Sequence, residues 1–544
     1  MSFSKNQSVN AALNRAKALI DINICNNIHK QFEFVRQTLL ADNSLTENEK
    51  YEAIIIYTKV YDSYKIMYNK GSKRTCDNCN QECLATLYCE LCIRNYLKAK
   101  FSNWTSGNVN IDNLIKENQM KTLKPNRIVE WIPYNNLKNI NYLTKGGFSE
   151  IYTAVRIDGK YIEWDSKEQQ LKRSGRYQVI LKKLENVENA NQSWLEEAKS
   201  HLTISTKYPN IVQCYGLTQD PSNGNYMLVM YRMDTDLRKY LQQNRQLTWR
   251  ERIQIAVYVI QALQIIHKEN AIHRDLHSGN ILYVLGNIFY ISDLGFCGPA
   301  DKPLKSIYGN LPYIAPEVII GKEQTFKSDI YSIAMLMWEI SSGQPPFFNY
   351  DHDYDLAMHI VNGIRPKIVP GTPSEYKNLM KQCWDADPSK RPDIDTLRKK
   401  INEINLFYQN KSDELLTQPE ENNSFEIENH TSGNILSTSR LHHFENLSEP
   451  RNATEGELEA FYSKSFDFCI PDNIDDIDKS NNKESNTSKI NTIFKDVQNE
   501  DKRETIQQQI NKHHNDNVDY EDEVYNNPNF HSEEQDTFEL PDDI

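Results

Sequence analysis

The stretch His273-Arg274-Asp275-Leu276-His277-Ser278-Gly279-Asn280 places a carboxylate and a carboxamide five residues apart in one loop. At this spacing Asp275 can accept the proton of a substrate hydroxyl, and Asn280 can hold a metal ion. Thirteen residues after Asn280, the sequence Asp293-Leu294-Gly295 follows an apolar strand, Ile288 to Ile291, and supplies a second carboxylate for Mg²⁺. These groups together predict a phosphoryl-transfer site.

Two strand segments upstream of this loop supply further parts of that chemistry. Residues Leu143 to Tyr152 form a glycine-containing turn between two strands, where backbone amides can approach phosphates because side chains are missing. The apolar strand Val179-Ile180-Leu181-Lys182 carries a lysine into the interior, and Glu197 in the following helical run is its candidate partner. Both faces of the strand are apolar, so alternation leaves Lys182 and the adjacent Lys183 equally open.

With Ala315-Pro316-Glu317, six motifs appear in the order found in eukaryotic protein kinases, and residues 137 to 405, half of the chain, resemble that family. The resemblance implies that Lys182 holds the ATP phosphates and pairs with Glu197. It implies Asp275 as the catalytic base, with Asn280 and Asp293 binding Mg²⁺.

The resemblance also assigns structural and nucleotide-binding residues. It implies a buried ion pair between Glu317 and Arg391, and it implies that Asp329 anchors the backbone of the catalytic loop. The run Met227 to Met230, continuing to Met233, resembles the strand beside the adenine. The nucleotide-binding residues implied are Gly146, Gly147, Phe148, Ser149, Ile151, Lys182, Met230, Arg232, Met233, Asn280, Leu282 and Asp293.

Within that family the chain resembles the tyrosine-kinase-like group. The marks of that group are Cys383-Trp384-x-x-Asp387-Pro388 and the helix segment Trp338-Glu339-Ile340. The cysteine cluster described below, Trp104 to Asn108 and Glu130 to Tyr134 together resemble an expanded fungal branch of the group.

Several positions depart from the family pattern. Thr144 and Ser149 replace two glycines of the nucleotide loop, and Ile180 replaces a small alanine and narrows the adenine pocket, so we expect weaker ATP binding. His277 stands where serine/threonine kinases have a lysine, whereas Gly309 to Tyr313 resembles the serine/threonine pattern. We therefore expect serine or threonine acceptors, with dual specificity open.

Five of the ten cysteines lie in one short stretch. Cys76-x-x-Cys79 and Cys89-x-x-Cys92 are two CxxC turns nine residues apart, which predicts a closed structural Zn²⁺ site with four thiolates. Cys83 is a spare thiol that can substitute for a neighbour. The alternatives are free or redox-active thiols and, because basic residues flank the cluster, a nucleic-acid-binding ribbon.

Composition and charge exclude other classes. The 544 residues are 39 % hydrophobic and carry a net charge of −13, which argues against a protein that coats nucleic acid or anionic membrane. Residues 411 to 544 hold 11 basic and 32 acidic residues, a charge of −21, whereas the rest of the chain carries +8. The sequence has no apolar run long enough to span a membrane and no apolar signal core, and it predicts a soluble cytoplasmic protein.

The predicted fold class is α+β, because strands come first and helices later in the region that resembles a two-lobed kinase. Apolar stripes and the capping pattern of Thr46 to Glu49 predict a helical hairpin near the start. The segments are a helical region at 1–70, a zinc-knuckle-like module at 71–100, a linker or short docking helix at 101–136, a kinase domain at 137–408 and a disordered acidic tail at 409–544.

The function predicted from the sequence is an ATP-dependent protein kinase that acts on protein substrates in intracellular signalling. The alternative is a pseudokinase scaffold that presents the zinc module and the acidic tail to partners, and Thr144, Ser149 and Ile180 are the residues that favour it.

Overall fold

The computed structural model of the protein describes residues 2–21, 24–122, 124–146, 149–184, 193–284, 288–299, 307–410 and 439–464. The described residues up to Asn452 belong to one compact unit, and those from Ala453 onward belong to another. Among the described residues, no helix is both long and apolar enough to cross a membrane.

The N-terminal region contains three helices where the sequence predicted a hairpin of two. They are α1 (Ser2–Ala18), α2 (Ile28–Ala41) and α3 (Glu47–Tyr68), and they share one small hydrophobic core that includes Leu13, Leu39 and Ala53. The predicted capping box begins α3: Thr46 Oγ1 accepts the Glu49 N–H, and Glu49 Oε2 accepts the Thr46 N–H at 2.8 Å. The helical prediction is confirmed, and the structure adds one helix, α2, which packs against both α1 and α3.

The cysteine module follows α3 and contains β1 (Arg74–Thr75), β2 (Glu82–Cys83) and α4 (Glu90–Ala99). Residues 101–136, assigned as a linker, hold helix α5 (Val109–Met120), which buries Ile111 and Ile115 in the same core as Leu202. The linker assignment is therefore wrong for this helix, and the docking-helix alternative describes it. Ile111 and Ile115 lie four positions apart on one face of α5, so burying this apolar face is more favourable than exposing it to solvent.

The N-terminal lobe is a six-stranded sheet with one long helix, α6 (Ser193–Lys207), packed on it. Its strands, in the order β3-β9-β10-β8-β5-β4, are β3 (Glu130–Trp131), β4 (Leu137–Lys145), β5 (Glu150–Arg156), β8 (Tyr177–Lys183), β9 (Cys214–Gln219) and β10 (Tyr226–Tyr231). A separate hairpin, β6 (Tyr161–Asp165) and β7 (Gln170–Arg173), packs on the cysteine module through Trp164 and Leu171.

The C-terminal lobe is mainly helical. Its helices are α7 (Leu237–Gln243), α8 (Trp249–Lys268), α9 (Pro316–Ile319), α10 (Phe326–Ser342), α11 (Tyr354–Val361), α12 (Ser374–Cys383) and α13 (Ile394–Asn410). Helix α10 is buried on all sides from Ser328 to Ser341. Its short strands are β11 (Thr235–Asp236), β12 (Ala271–Ile272), β13 (Ile281–Val284), β14 (Ile288–Ile291), β15 (Gly298–Pro299) and β16 (Ile307–Gly309). The α+β prediction with unequal lobes is confirmed.

Part of the acidic tail is structured. Residues 411–438 and 465–544 lie outside the described residues, but strand β17 (Arg440–His442) and helix α14 (Glu455–Lys464) are formed. The expectation of disorder therefore does not hold for residues 439–464. Strand β17 pairs with β16, more than 130 positions earlier in the chain, so local composition could not indicate it.

Candidate active site

The loop that follows β12 is held by one buried carboxylate at the start of α10. Asp329 Oδ2 accepts the His273 N–H at 2.8 Å, and Oδ1 accepts the Arg274 N–H at 3.0 Å. Burial raises the pKa of Asp329, but the side-chain hydrogen bond with His267 and the contacts with His273 lower it more, and the net pKa lies below the ordinary value. Asp329 thus anchors the loop backbone as predicted, and Arg274 is held there at a positive φ of 70°.

The anchored loop brings the predicted base and the predicted metal-binding amide together. Asn280 Nδ2 donates to Asp275 O at 2.9 Å and lies 3.5 Å from Asp275 Oδ2. Ser292, directly after β14, donates its N–H to the backbone oxygen of Asn280 at 2.8 Å. This bond holds Asn280 beside the segment that carries Asp293. Because Asn280 contacts Asp275 through nitrogen, its side-chain oxygen is the atom available to a cation.

A buried lysine joins two carboxylates from different elements. Lys182 Nζ on β8 lies 2.8 Å from Glu197 Oε1 on α6 and 2.5 Å from Asp293 Oδ1. Burial alone lowers the pKa of Lys182, but Asp293 and Glu197 raise it above the ordinary value, so the ammonium is charged. Lys183 points elsewhere and pairs with Glu150 at 3.1 Å, partly exposed. Of the two lysines, Lys182 is therefore the one that forms the buried ion pair.

The backbone around Asp293 is adapted to this contact. Asp293 has a φ of 50°, and the Gly295 N–H donates to its Oδ1 at 3.1 Å. A Cβ on Gly295 would come within 3.0 Å of that oxygen and 3.2 Å of Glu197 Oε1, so glycine leaves room for the ion pair. The Leu294 N–H donates to His201 Nε2 at 3.2 Å, and burial beside Lys182 lowers the pKa of His201 to about 3, so this imidazole is neutral.

The residues predicted to bind the nucleotide divide into three groups. Gly147 and Phe148 lie outside the described residues. The Gly146 N–H donates to Ser149 O at 2.8 Å. Ile151 on β5 lies opposite Lys182 in the register of the neighbouring strand β8. Arg232 is exposed. Three apolar members of the set lie in one cluster, which also contains Ile180: Met230, Met233 and Leu282.

The predicted ion pair between Glu317 and Arg391 is present and buried. Arg391 Nη1 and Nη2 each lie 2.7 Å from a different oxygen of Glu317, so the contact is bidentate. It ties the short helix α9 to the loop before α13.

Comparison with known proteins assigns this arrangement to a family. Residues 137–401 match the family described as protein tyrosine and serine/threonine kinase. This part of the chain is a protein kinase domain. Its boundaries agree with the two lobes and include Asp275, Asn280, Asp293, Lys182 and Glu197.

Individual relatives show the same similarity over part of their length. A dual serine/threonine and tyrosine protein kinase of Canis lupus familiaris is 34 % identical over 195 residues, 34 % of this chain and 21 % of the relative. A protein of the same name from Pimephales promelas is 30 % identical over 261 residues, 46 % of this chain and 28 % of the relative. A probable serine/threonine-protein kinase of Dictyostelium discoideum is 25 % identical over 288 residues, which are 51 % of this chain and 20 % of the relative. The chain thus matches between a fifth and somewhat more than a quarter of the length of these relatives.

The four cysteines of the two CxxC turns meet outside the kinase site. The Sγ atoms of Cys76, Cys79, Cys89 and Cys92 all lie within 4.8 Å of one another, with Cys76 to Cys92 and Cys79 to Cys89 both at 3.7 Å. Four sulfurs about 2.3 Å from one Zn²⁺ in a tetrahedron are about 3.8 Å apart, so the arrangement fits the ion. Cys83 packs against the group but is not one of the four.

Basic residues around the cysteines are used within the protein. Arg74 donates to the carbonyls of Ala85 and Tyr88, Arg94 donates to a third backbone carbonyl, and Lys73 pairs with Glu82 at 3.0 Å. Arg74 and Arg94 therefore have a structural role within the cysteine module and its surroundings.

Two groups in the described part of the kinase site were not predicted from the sequence: His201, beside Lys182, and Ser439. Ser439, from the tail, lies with its Oγ 2.7 Å from Asp275 Oδ1. The only sign of this in the sequence is weak: Leu441 and Phe444 are apolar residues in a polar region.

Proposed function

We propose that this chain is an ATP-dependent protein kinase that transfers the γ-phosphate to serine or threonine hydroxyls of proteins. The observation that carries the proposal is the buried Lys182 held between Glu197 and Asp293. Moving the charge of Lys182 out of water costs several kcal/mol of desolvation. A scaffold that binds no nucleotide has no reason to keep this buried ion between two carboxylates. This argues against the pseudokinase alternative.

The residues divide the work of phosphoryl transfer among them. Lys182 would bind the α- and β-phosphates, and Asp275 would accept the proton of the attacking hydroxyl. Mg²⁺, when bound, neutralises charge on the phosphates. Asn280 would hold it through its side-chain oxygen, and Asp293 through the carboxylate oxygen that does not contact Lys182. Met230, Met233 and Leu282 offer the adenine an apolar surface.

One assay on the full chain tests the proposal. We expect incorporation of labelled phosphate from ATP and Mg²⁺ into a generic protein substrate, and a fall of at least about 100-fold in Asp275→Asn and Lys182→Ala. Lys183→Ala is the matched control and should keep its labelling, because Lys183 is partly exposed and pairs only with Glu150. Equal labelling by wild type, Asp275→Asn and Lys182→Ala would refute kinase activity and leave the scaffold function.

The acceptor residue is part of the same proposal. Serine and threonine are proposed first, and tyrosine second, since two of the relatives are named dual serine/threonine and tyrosine protein kinases. Phosphoamino-acid analysis of the labelled substrate distinguishes these acceptors. Label found on tyrosine alone would contradict the proposed preference.

We also propose that Cys76, Cys79, Cys89 and Cys92 bind one structural Zn²⁺. A closed site of four thiolates contributes folding energy to a module with little core of its own. Elemental analysis of the purified full chain should find one zinc per molecule, and Cys92→Ser should lose it. Cys83→Ser is the control and should retain it; zinc that is missing from wild type would contradict this assignment.

The broader context of the kinase stays a prediction. It includes the cytoplasmic location, a role in signalling and the position within an expanded fungal branch.

A further inference from the structure

The described part of the tail that belongs to the first unit, residues 439–452, lies along the C-terminal lobe and is termed the docked segment. Strand β17 in this segment pairs antiparallel with β16, and His442 Nε2 lies 3.0 Å from Gly309 O. Farther along, the Arg451 N–H donates to Val361 O at 3.1 Å, at the end of α11. Backbone pairing at one end and backbone anchoring at the other fix the register of the segment, as when an extended peptide adds to an exposed strand.

The first residue of the docked segment is the serine in the kinase site. Ser439 Oγ donates to Asp275 Oδ1 at 2.7 Å and lies 3.1 Å from His277 Nε2. The residue is only 7 % exposed. A hydroxyl that transfers its proton to Asp275 must lie at hydrogen-bond distance from that carboxylate, and Ser439 does.

The hydrogen-bond directions around Ser439 orient its hydroxyl. His277 Nδ1 accepts the Gly279 N–H at 3.1 Å, so the proton of a neutral ring lies on Nε2. Nε2 therefore donates to Ser439 Oγ, and Oγ donates to Asp275. A serine oxygen has two lone pairs, so one remains to attack phosphorus.

We propose that Ser439 is a phosphorylation site of this kinase, modified within the same molecule by the site that holds it. The proposal rests on the kinase activity proposed above, and it identifies one substrate of that activity: the serine that precedes the sequence Arg440-Leu441-His442.

The transfer is balanced by ATP alone. Ser439 Oγ forms a bond to the γ-phosphorus while the bond from that phosphorus to the β,γ-bridging oxygen breaks and ADP leaves. The hydroxyl proton passes to Asp275 Oδ1. No oxidant, reductant or further co-reactant takes part.

Phosphorylation would change the contact that made it possible. A phosphoserine carries about −1.5 to −2 charges at neutral pH, and at position 439 these would face the Asp275 carboxylate. Repulsion between like charges in a buried setting favours release of the docked segment. The segment therefore leaves the site once modified, and the site becomes accessible to other proteins.

The test uses the full chain, dephosphorylated with a phosphatase that is then removed. After ATP and Mg²⁺ are added, phosphopeptide mass spectrometry measures occupancy at position 439, with a generic protein substrate in the same tube. Ser448→Ala is the matched control, because Ser448 is an exposed serine of the same docked segment. We expect phosphate on Ser439 in wild type and Ser448→Ala, and a loss of at least about 100-fold in Asp275→Asn.

Dilution distinguishes transfer within one molecule from transfer between molecules. We expect the half-time of Ser439 phosphorylation to stay constant over a tenfold dilution, whereas a bimolecular reaction would slow about tenfold. A label on the generic substrate without one on Ser439 overturns this proposal and leaves the kinase activity. A half-time that rises with dilution overturns the intramolecular step, and no label on either protein overturns both proposals.

Discussion

Replacing Glu317 by glutamine should destabilise the C-terminal lobe strongly, since this change keeps the shape of the side chain and removes its charge. The guanidinium of Arg391 is 1 % exposed and would lose a bidentate carboxylate. Breaking one partner out of a buried ion pair costs about 3–5 kcal/mol, because the remaining charge stays buried without compensation. Arg391 keeps three backbone acceptors, Asp385 O at 2.8 Å, Lys327 O at 2.9 Å and Ala386 O at 3.5 Å. We therefore expect a loss of about 3 kcal/mol, at the lower end of that range.

The matched control is an exposed ion pair of the same chemistry. Lys322 Nζ lies 2.6 Å from Glu449 Oε2, with side chains 54 % and 75 % exposed. Such a pair is worth less than about 1 kcal/mol, so Glu449→Gln should change little. Thermal unfolding followed by tryptophan fluorescence should show a midpoint about 6–12 °C lower for Glu317→Gln. Midpoints of the two variants within about 2 °C of each other would refute the argument that burial makes the difference.

Three further predictions follow from other contacts. The pKa of His201 is lowered from 6.5 to about 3, because burial disfavours the protonated ring in the folded state. The contribution of His201 to the free energy of unfolding is therefore complete above about pH 6.5 and is lost as the pH falls towards 3. Between pH 7 and 5 this should cost about 2 kcal/mol of the free energy of unfolding in urea, and the same pH dependence in His201→Gln would contradict it. Gly216→Ala would place a Cβ 1.8 Å from Glu130 O, and the loss in urea should exceed about 2 kcal/mol, whereas Gly175→Ala, with open space around it, should stay within about 0.5 kcal/mol. Thr46→Ala should cost about 1 kcal/mol by removing the capping box of α3, and unchanged amide exchange in the first turn of α3 would refute that.

Much of the site could be predicted because its chemistry depends on short spacings. Asp275 and Asn280 lie on one loop, so the two side chains meet independently of distant parts of the chain. The same holds outside the site for the capping box, since Glu49 lies one helical turn from Thr46. The CxxC turns also bring their sulfurs together locally, and the two turns are only nine residues apart. The pairing of Glu317 with Arg391 is long-range and followed only from the resemblance to kinases.

Other features could not be inferred because they depend on long-range contacts. Periodicity left Lys182 and Lys183 open, so the choice of Lys182 came only from the resemblance to kinases, and its physical cause is the position of Glu197 and Asp293 in the fold. The polarity of residues 101–136 suggested a linker, but docking of α5 on the N-terminal lobe depends on the core that Leu202 and its neighbours provide. In both cases the deciding partner comes from a distant part of the chain.

By itself, then, the sequence predicted the kinase domain, the α+β class and the cluster of four cysteines, because their motifs consist of residue types at short separations. The tertiary structure alone placed Ser439 against Asp275. That contact joins residues 164 positions apart through the pairing of β17 with β16. A strand edge offers its hydrogen bonds to any extended segment within reach, so the identity of that segment is set by the folded surface rather than by local sequence.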